Sequence, residues 1–198
     1  MLKLFKYTSL ALFSGALLLG CSAEKSSETS EVEITPKKDY SIWMADSEIA
    51  RNPEGWTIDF NKKPKWEYTH GLIMSSMQAV WKQTGEQRFY DYTKKFADFM
   101  VDSAGNILTY KKTDFNIDRV NGGKFLINLY EESGEEKYKL AIEELRDQMR
   151  DHPRNSEGGF WHKKVYPHQM WLDGIYMGSP FLAQYAATFD ESALFDDV

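Results

Sequence analysis

Two aspartates occupy settings suited to proton transfer. Asp118 lies in Asn116-Ile117-Asp118-Arg119-Val120-Asn121-Gly122-Gly123-Lys124, and Asp173 in Gln169-Met170-Trp171-Leu172-Asp173-Gly174-Ile175-Tyr176-Met177. With Trp171, Tyr176 and Met177 close by, Asp173 is expected to be packed and partly desolvated, which raises a carboxyl pKa and makes the group a usable proton donor. A raised acid beside a second carboxylate is a recurring acid–base arrangement. The competing reading is structural, because an Asp at the start of a helix commonly caps it. The four histidines His70, His152, His162 and His168 show no metal-ligand spacing on one helix face, so no metal is expected. Gly158-Gly159 reads as a tight loop and not a phosphate cradle, since neither a strand nor a Lys-Ser/Thr pair flanks it, and no cofactor is expected.

The elements that must position these residues belong to a folded domain. Hydrophobic residues make up 42% of the 198 and aromatics 15%, too much apolar material for a disordered chain. The formal charge is −6, so there is no basic excess and a nucleic-acid backbone is excluded as the main partner. The single cysteine, Cys21, rules out an internal disulfide framework and a cysteine metal cluster. It follows Lys3 and Lys6, an apolar run over 10–19 and small residues at Gly15, Ala16 and Gly20, the three-part form of an export signal. Leu18-Leu19-Gly20-Cys21 resembles the bacterial lipobox, so Cys21 is expected to carry the lipid that holds the protein to a membrane of the bacterial envelope. The Ser- and Glu-rich stretch 22–36 reads as a tether. The expected division is a signal peptide at 1–20, the acylated Cys and tether at 21–36, and one domain at 37–198.

That domain shows helical periodicity and little strand alternation. Ile42, Ala45 and Ile49 start a first helix that Asn52-Pro53 ends. Ile73, Met77, Val80 and Trp81 keep helical spacing, as do Phe89, Tyr92, Phe96 and Phe99, then Tyr138, Ile142, Leu145 and Met149; these stripes are assigned to the core. Three turns share one pattern, an aromatic, then a Ser or Thr, then an acid or amide: Trp81…Thr84…Gln87, Tyr130…Ser133…Glu136 and Tyr185…Thr188…Glu191. Each reads as a capping box opening a helix. Their aromatic anchors recur at about 50 residues, the period of a helical hairpin array or toroid. Twelve residues before Tyr130 and Tyr185 stand Asp118 and Asp173, and twelve before Trp81 stands Thr69, within Tyr68-Thr69-His70. The repeat therefore predicts that Asp118, Asp173 and the Tyr68/His70 segment share one rim.

The segments Lys65-Trp66-Glu67-Tyr68-Thr69-His70-Gly71, 110–124, and His152-Pro153-Arg154 through Gly158-Gly159-Phe160-Trp161-His162-Lys163 to Trp171-Leu172-Asp173-Gly174 resemble the unsaturated glucuronyl and rhamnogalacturonyl hydrolases, glycoside hydrolase families 88 and 105. The match is closer to the rhamnogalacturonyl branch and runs from about residue 40 to the end. The resemblance implies an all-α (α/α)6 toroid whose mouth takes the 4,5-unsaturated uronic acid that lyases leave at an oligosaccharide end. It implies hydration of the C4=C5 bond in place of the two-carboxylate displacement of other glycosidases. Carried onto this sequence, it makes Asp173 the proton donor and water activator and Asp118 the second carboxylate. It places Tyr68, His162 and Trp171 in the sugar-binding subsite. Read by type alone, Trp171 is more readily a core residue and His162 a satisfied loop residue; Lys163, Lys164 and Arg119 could attract a uronate carboxylate, although surface lysines are usually just solvated.

The toroid of these families needs six hairpins, so an incomplete toroid, truncated at the C-terminus, is expected here. The segment from Glu191 to the end reads as the start of an outer helix, and the open edges are expected to expose apolar helix faces. Two other readings stay open, a non-catalytic glycan-binding lipoprotein, including an inactive copy of such an enzyme, and a structural helical array.

Overall fold

The computed structural model describes residues 39–198. The expected signal peptide at 1–20, and the expected acylated Cys and tether at 21–36, lie outside the described residues. The apolar stripes form six helices: α1 (Tyr40–Arg51), α2 (Tyr68–Thr84), α3 (Gln87–Met100), α4 (Gly123–Ser133), α5 (Glu136–Arg150) and α6 (Leu172–Thr188). Short 3-10 turns stand at Ile58–Phe60, Lys112–Asp114, Ile117–Arg119 and Ser192–Asp197. Among the described residues there is no strand, only three isolated antiparallel bridges. Helices α2 and α3 pair as one hairpin and α4 and α5 as another, while α2, α4 and α6 lie side by side. The architecture is a partial all-α toroid of helical hairpins, as the periodicity predicts.

Local chemistry explains where these helices start and stop. Asp39 caps α1 by accepting the backbone N–H groups of Ser41 and Ile42 at 3.0 and 3.3 Å, and Asn52 ahead of Pro53 ends it. On α3 the buried stripe is Phe89, Tyr92, Phe96 and Met100. Phe99 is a correction to the predicted stripe: it is half exposed, because the four-residue step from Phe96 lands on Met100. Trp66 stacks parallel to Phe96 with ring centroids 6.2 Å apart and meets Phe125 of α4 at 5.6 Å. Burial of each such ring contributes about 1.5–3 kcal/mol.

The three predicted capping boxes are not capping boxes. Thr84 and Ser133 close the helix before the turn. Each hydroxyl donates to the carbonyl four residues back, Val80 at 2.8 Å and Leu129 at 2.7 Å. Each also accepts the backbone N–H two residues on, from Glu86 at 3.2 Å and Glu135 at 3.3 Å. Gly85 and Gly134 then turn the chain in the left-handed region at φ 73 and 67°, where a side chain is disfavoured. The third turn departs from the other two. It has Phe189 where they have glycine, Asp190 takes the positive φ, and Thr188 donates to the Glu131 carboxylate at 2.7 Å. Glu191 is drawn to Arg146 and Arg150 at 3.0 and 2.9 Å, leaving the next segment without a side-chain cap. That segment, expected as an outer α-helix, is the 3-10 turn Ser192–Asp197.

Candidate active site

The site begins with a small clasp between two segments distant in sequence. Asn116 and Lys163 form an antiparallel bridge, with Ile117 N–H donating to the His162 carbonyl and Lys164 N–H to the Phe115 carbonyl, both at 3.0 Å. The Asn116 side chain accepts Asp118 N–H at 3.0 Å and sets the 3-10 turn that aims the carboxylate. Asp118 is buried, with Oδ1 3.1 Å from His162 Nε2 and Oδ2 2.6 Å from Lys163 Nζ. From below, Gln148 of α5 donates to the Asn116 carbonyl at 3.0 Å. His152 holds the other strand of the clasp through its contact with the Trp161 carbonyl at 2.7 Å. That contact assigns the proton to Nε2, and burial pulls the imidazole down to about 4.

His162 is fully enclosed. Its backbone N–H donates to the Gln169 carbonyl at 2.6 Å, and its ring lies parallel to Trp171 with centroids 4.4 Å apart. Trp171 in turn lies parallel to Tyr166 at 5.4 Å. Burial lowers the His162 pKa, and the Asp118 carboxylate opposes that shift. The neutral ring with its proton on Nε2 donates to Asp118, and Nδ1 is buried without a hydrogen-bond partner. Nδ1 faces Gly174 so closely that a Cβ there would stand 2.8 Å away. Glycine at the third position of α6 is thus what lets the helix approach the ring.

Asp173 occupies the first turn of α6, where the helix dipole favours a carboxylate, and it acts electrostatically on His162. The packed setting expected for it is not found: Asp173 is exposed. Its neighbours are engaged elsewhere, Trp171 with His162 and Tyr166, Tyr176 beneath the Lys124 ammonium at 3.8 Å, and Met177 in the interior. The capping reading fails for both acids, since neither α4 nor α6 has a side-chain cap. Trp171 is 41% exposed and is therefore not a core residue. Tyr68 opens α2 at 44% exposure, and its carbonyl accepts the Asn121 side chain at 2.8 Å. Tyr68, Asp118, His162, Trp171 and Asp173 thus gather around the N-terminal ends of α2, α4 and α6.

Several residues here escape a reading by type. Lys163, taken as a solvated cation, is the partner of Asp118; only the clasp with Asn116 reveals it. Arg119 is tied to Glu67 at 3.3 Å, and its carbonyl accepts the Trp66 indole N–H at 2.7 Å. Lys124 is buried between α4 and α6, with the Tyr176 ring and carbonyl as its contacts, and burial pushes it down to about 8. Beside Trp171 opens a cavity of about 250 Å³ lined by Ile117, Phe160, His162, Met170 and Ile175, with Arg154 at its edge paired to Asp197 at 2.6 Å. Among the described residues no cluster of three His, Cys, Asp or Glu side chains converges as a metal site.

Comparison with known proteins gives this geometry a context. A glycoside hydrolase of family 105 from C. acetobutylicum ATCC 824 superposes with a TM-score of 0.74 and 42% sequence identity. The match covers 81% of this chain and 42% of that one, so the chain spans less than half of that relative's length. The model of Glycosyl Hydrolase Family 88 matches residues 40–198, all but the first of the described residues. On that match the chain belongs to glycosyl hydrolase family 88.

Proposed function

We propose that the protein releases the terminal 4,5-unsaturated uronic acid from lyase-generated oligosaccharides of the rhamnogalacturonan type by hydrating the C4=C5 bond. The observation that carries this reading is the buried Asp118, held by His162 and Lys163, beside the exposed Asp173 at one end of the helical layer. Asp173 gives a proton to C4 of the enol ether, and water attacks C5 as Asp173 takes back a proton from it. The C5 hemiketal opens to a ketone, and the hemiacetal left at C1 expels the second sugar as an alcohol. Asp118 accepts a hydroxyl or water hydrogen and orients it, while Tyr68 and Trp171 cover the ring. Substrate binding supplies the desolvation that Asp173 lacks in the free protein. Acylated Cys21 holds the protein to the cell envelope, where such oligosaccharides arrive from outside.

The exposure of Asp173 favours one second reading, a glycan-binding lipoprotein without turnover. Incubation with an unsaturated uronyl disaccharide, following the ultraviolet absorbance of the C4=C5 bond, separates the two. Absorbance is expected to fall with wild type and to fall at least 1,000-fold more slowly with Asp173→Asn, about 4 kcal/mol of transition-state stabilisation. Binding without any loss of absorbance in wild type would establish the second reading instead.

A further inference from the structure

A groove of about 550 Å³ runs between the C-terminal end of α1 and the N-terminal end of α2. Because α2 starts at Tyr68, the groove opens at the same end of the helical layer as the acid cluster. Its outer wall is the turn Asp59-Phe60. Phe60 is 96% exposed, an unusual position for a phenylalanine in a folded protein. Asp59 and Phe60 both hold positive φ, 63 and 57°, a region that aspartate tolerates and that a phenylalanine side chain disfavours. The buried Ile58 anchors the turn, and the Asn61 side chain donates to its carbonyl at 2.9 Å. The strain therefore maintains a ring that contributes nothing to the core.

The carboxylate beside that ring is uncommitted, whereas Glu48 pairs with Arg51 and Thr57 donates to the Asn52 side chain at 2.7 Å in the same groove. Asp59 lines the same groove, acts electrostatically on His70 and, among the described residues, enters no ion pair or hydrogen bond. An aromatic face and a free carboxylate together suit a sugar ring, whose C–H face stacks and whose hydroxyls donate. Glu48 neutralises Arg51 in the groove wall, so Asp59 supplies the net charge, which selects against a uronate and for an uncharged residue because like charges at contact repel.

We propose that this groove is a subsite for a neutral sugar residue of the bound oligosaccharide, stacked on Phe60 with a hydroxyl on Asp59. It rests on the functional reading above, because the terminal uronate must sit at the acid cluster for a later residue to reach Phe60. The test titrates the full chain, in the Asp173→Asn background that blocks turnover, with an unsaturated uronyl disaccharide and with a tetrasaccharide of the same end group and neutral residues. The tetrasaccharide is expected to bind about tenfold more tightly. Phe60→Ala is expected to erase that difference and leave the disaccharide unchanged, and Phe60→Trp to restore it. Equal binding of both sugars, or a length preference that survives Phe60→Ala, overturns the subsite alone. Binding of neither sugar overturns the functional reading and the subsite with it.

Discussion

One methyl group tests how tightly the candidate site is built. Alanine at 174 would put its Cβ 2.8 Å from His162 Nδ1, closer than a carbon and an unprotonated nitrogen approach without displacement. The ring is held by Trp171 on one side and by Asp118 at Nε2, so the adjustment must move His162 or the start of α6 that carries Asp173. A displacement approaching 1 Å is worth about 100-fold in rate. Gly174→Ala is accordingly expected to lower kcat/KM about 100-fold in the absorbance assay, with the helical circular dichroism preserved; wild-type kinetics would show that His162 has no part in the reaction. At this scale the aspartates, His162 and Trp171 stand out in the sequence by type and motif. Lys163 and Gly174 do not, because their roles arise from contacts across the clasp at Asn116 and across the His162 ring. The exposure of Asp173 escaped for a related reason: adjacency to Trp171 and Tyr176 says nothing about which way those rings are drawn.

Among the elements, periodicity locates the helices, while the letters of the turns between them fit two different structures. A Ser or Thr followed by an acid fits a capping box, yet the same letters close a helix when glycine comes directly after, as at Thr84-Gly85 and Ser133-Gly134. The intervening glycine was the legible signal. Both hydroxyls span the break by donating to one helix and accepting from the start of the next. Thr84→Ala and Ser133→Ala are each expected to cost about 1 kcal/mol in urea-unfolding free energy, with losses that add in the double variant because, among the described residues, no hydrogen bond or ion pair joins the two turns. Thr188→Ala is expected to cost less, about 0.5 kcal/mol, since it loses a single bond to an exposed carboxylate. Equal costs at all three turns would contradict the distinction drawn between them.

On the scale of the whole molecule, the sequence carries the all-α class and the hairpin repeat, because both follow from apolar spacing. It does not carry the burial of three histidines, which depends on packing between helices. His70 lies against Phe96 in the interior at 4.9 Å, His152 lies beneath the clasp, and His162 lies within the site; desolvation holds all three below the ordinary histidine value. A histidine kept neutral by the fold becomes protonated more readily once the chain unfolds. Protons therefore favour the unfolded state, and the stability contributed by these rings is complete above about pH 6.5 and is lost as pH falls through their folded values. His152 sets the clearest window, from about 6.5 down to about 4, and on its own accounts for about 3 kcal/mol over that range. Urea unfolding across this window is expected to show a steep loss of stability. His152→Gln retains an amide donor for the Trp161 carbonyl but cannot titrate, so it is expected to flatten the slope even where it lowers stability at pH 7. An unchanged slope in His152→Gln would mean that the imidazole beneath the clasp already carries its proton in the folded protein.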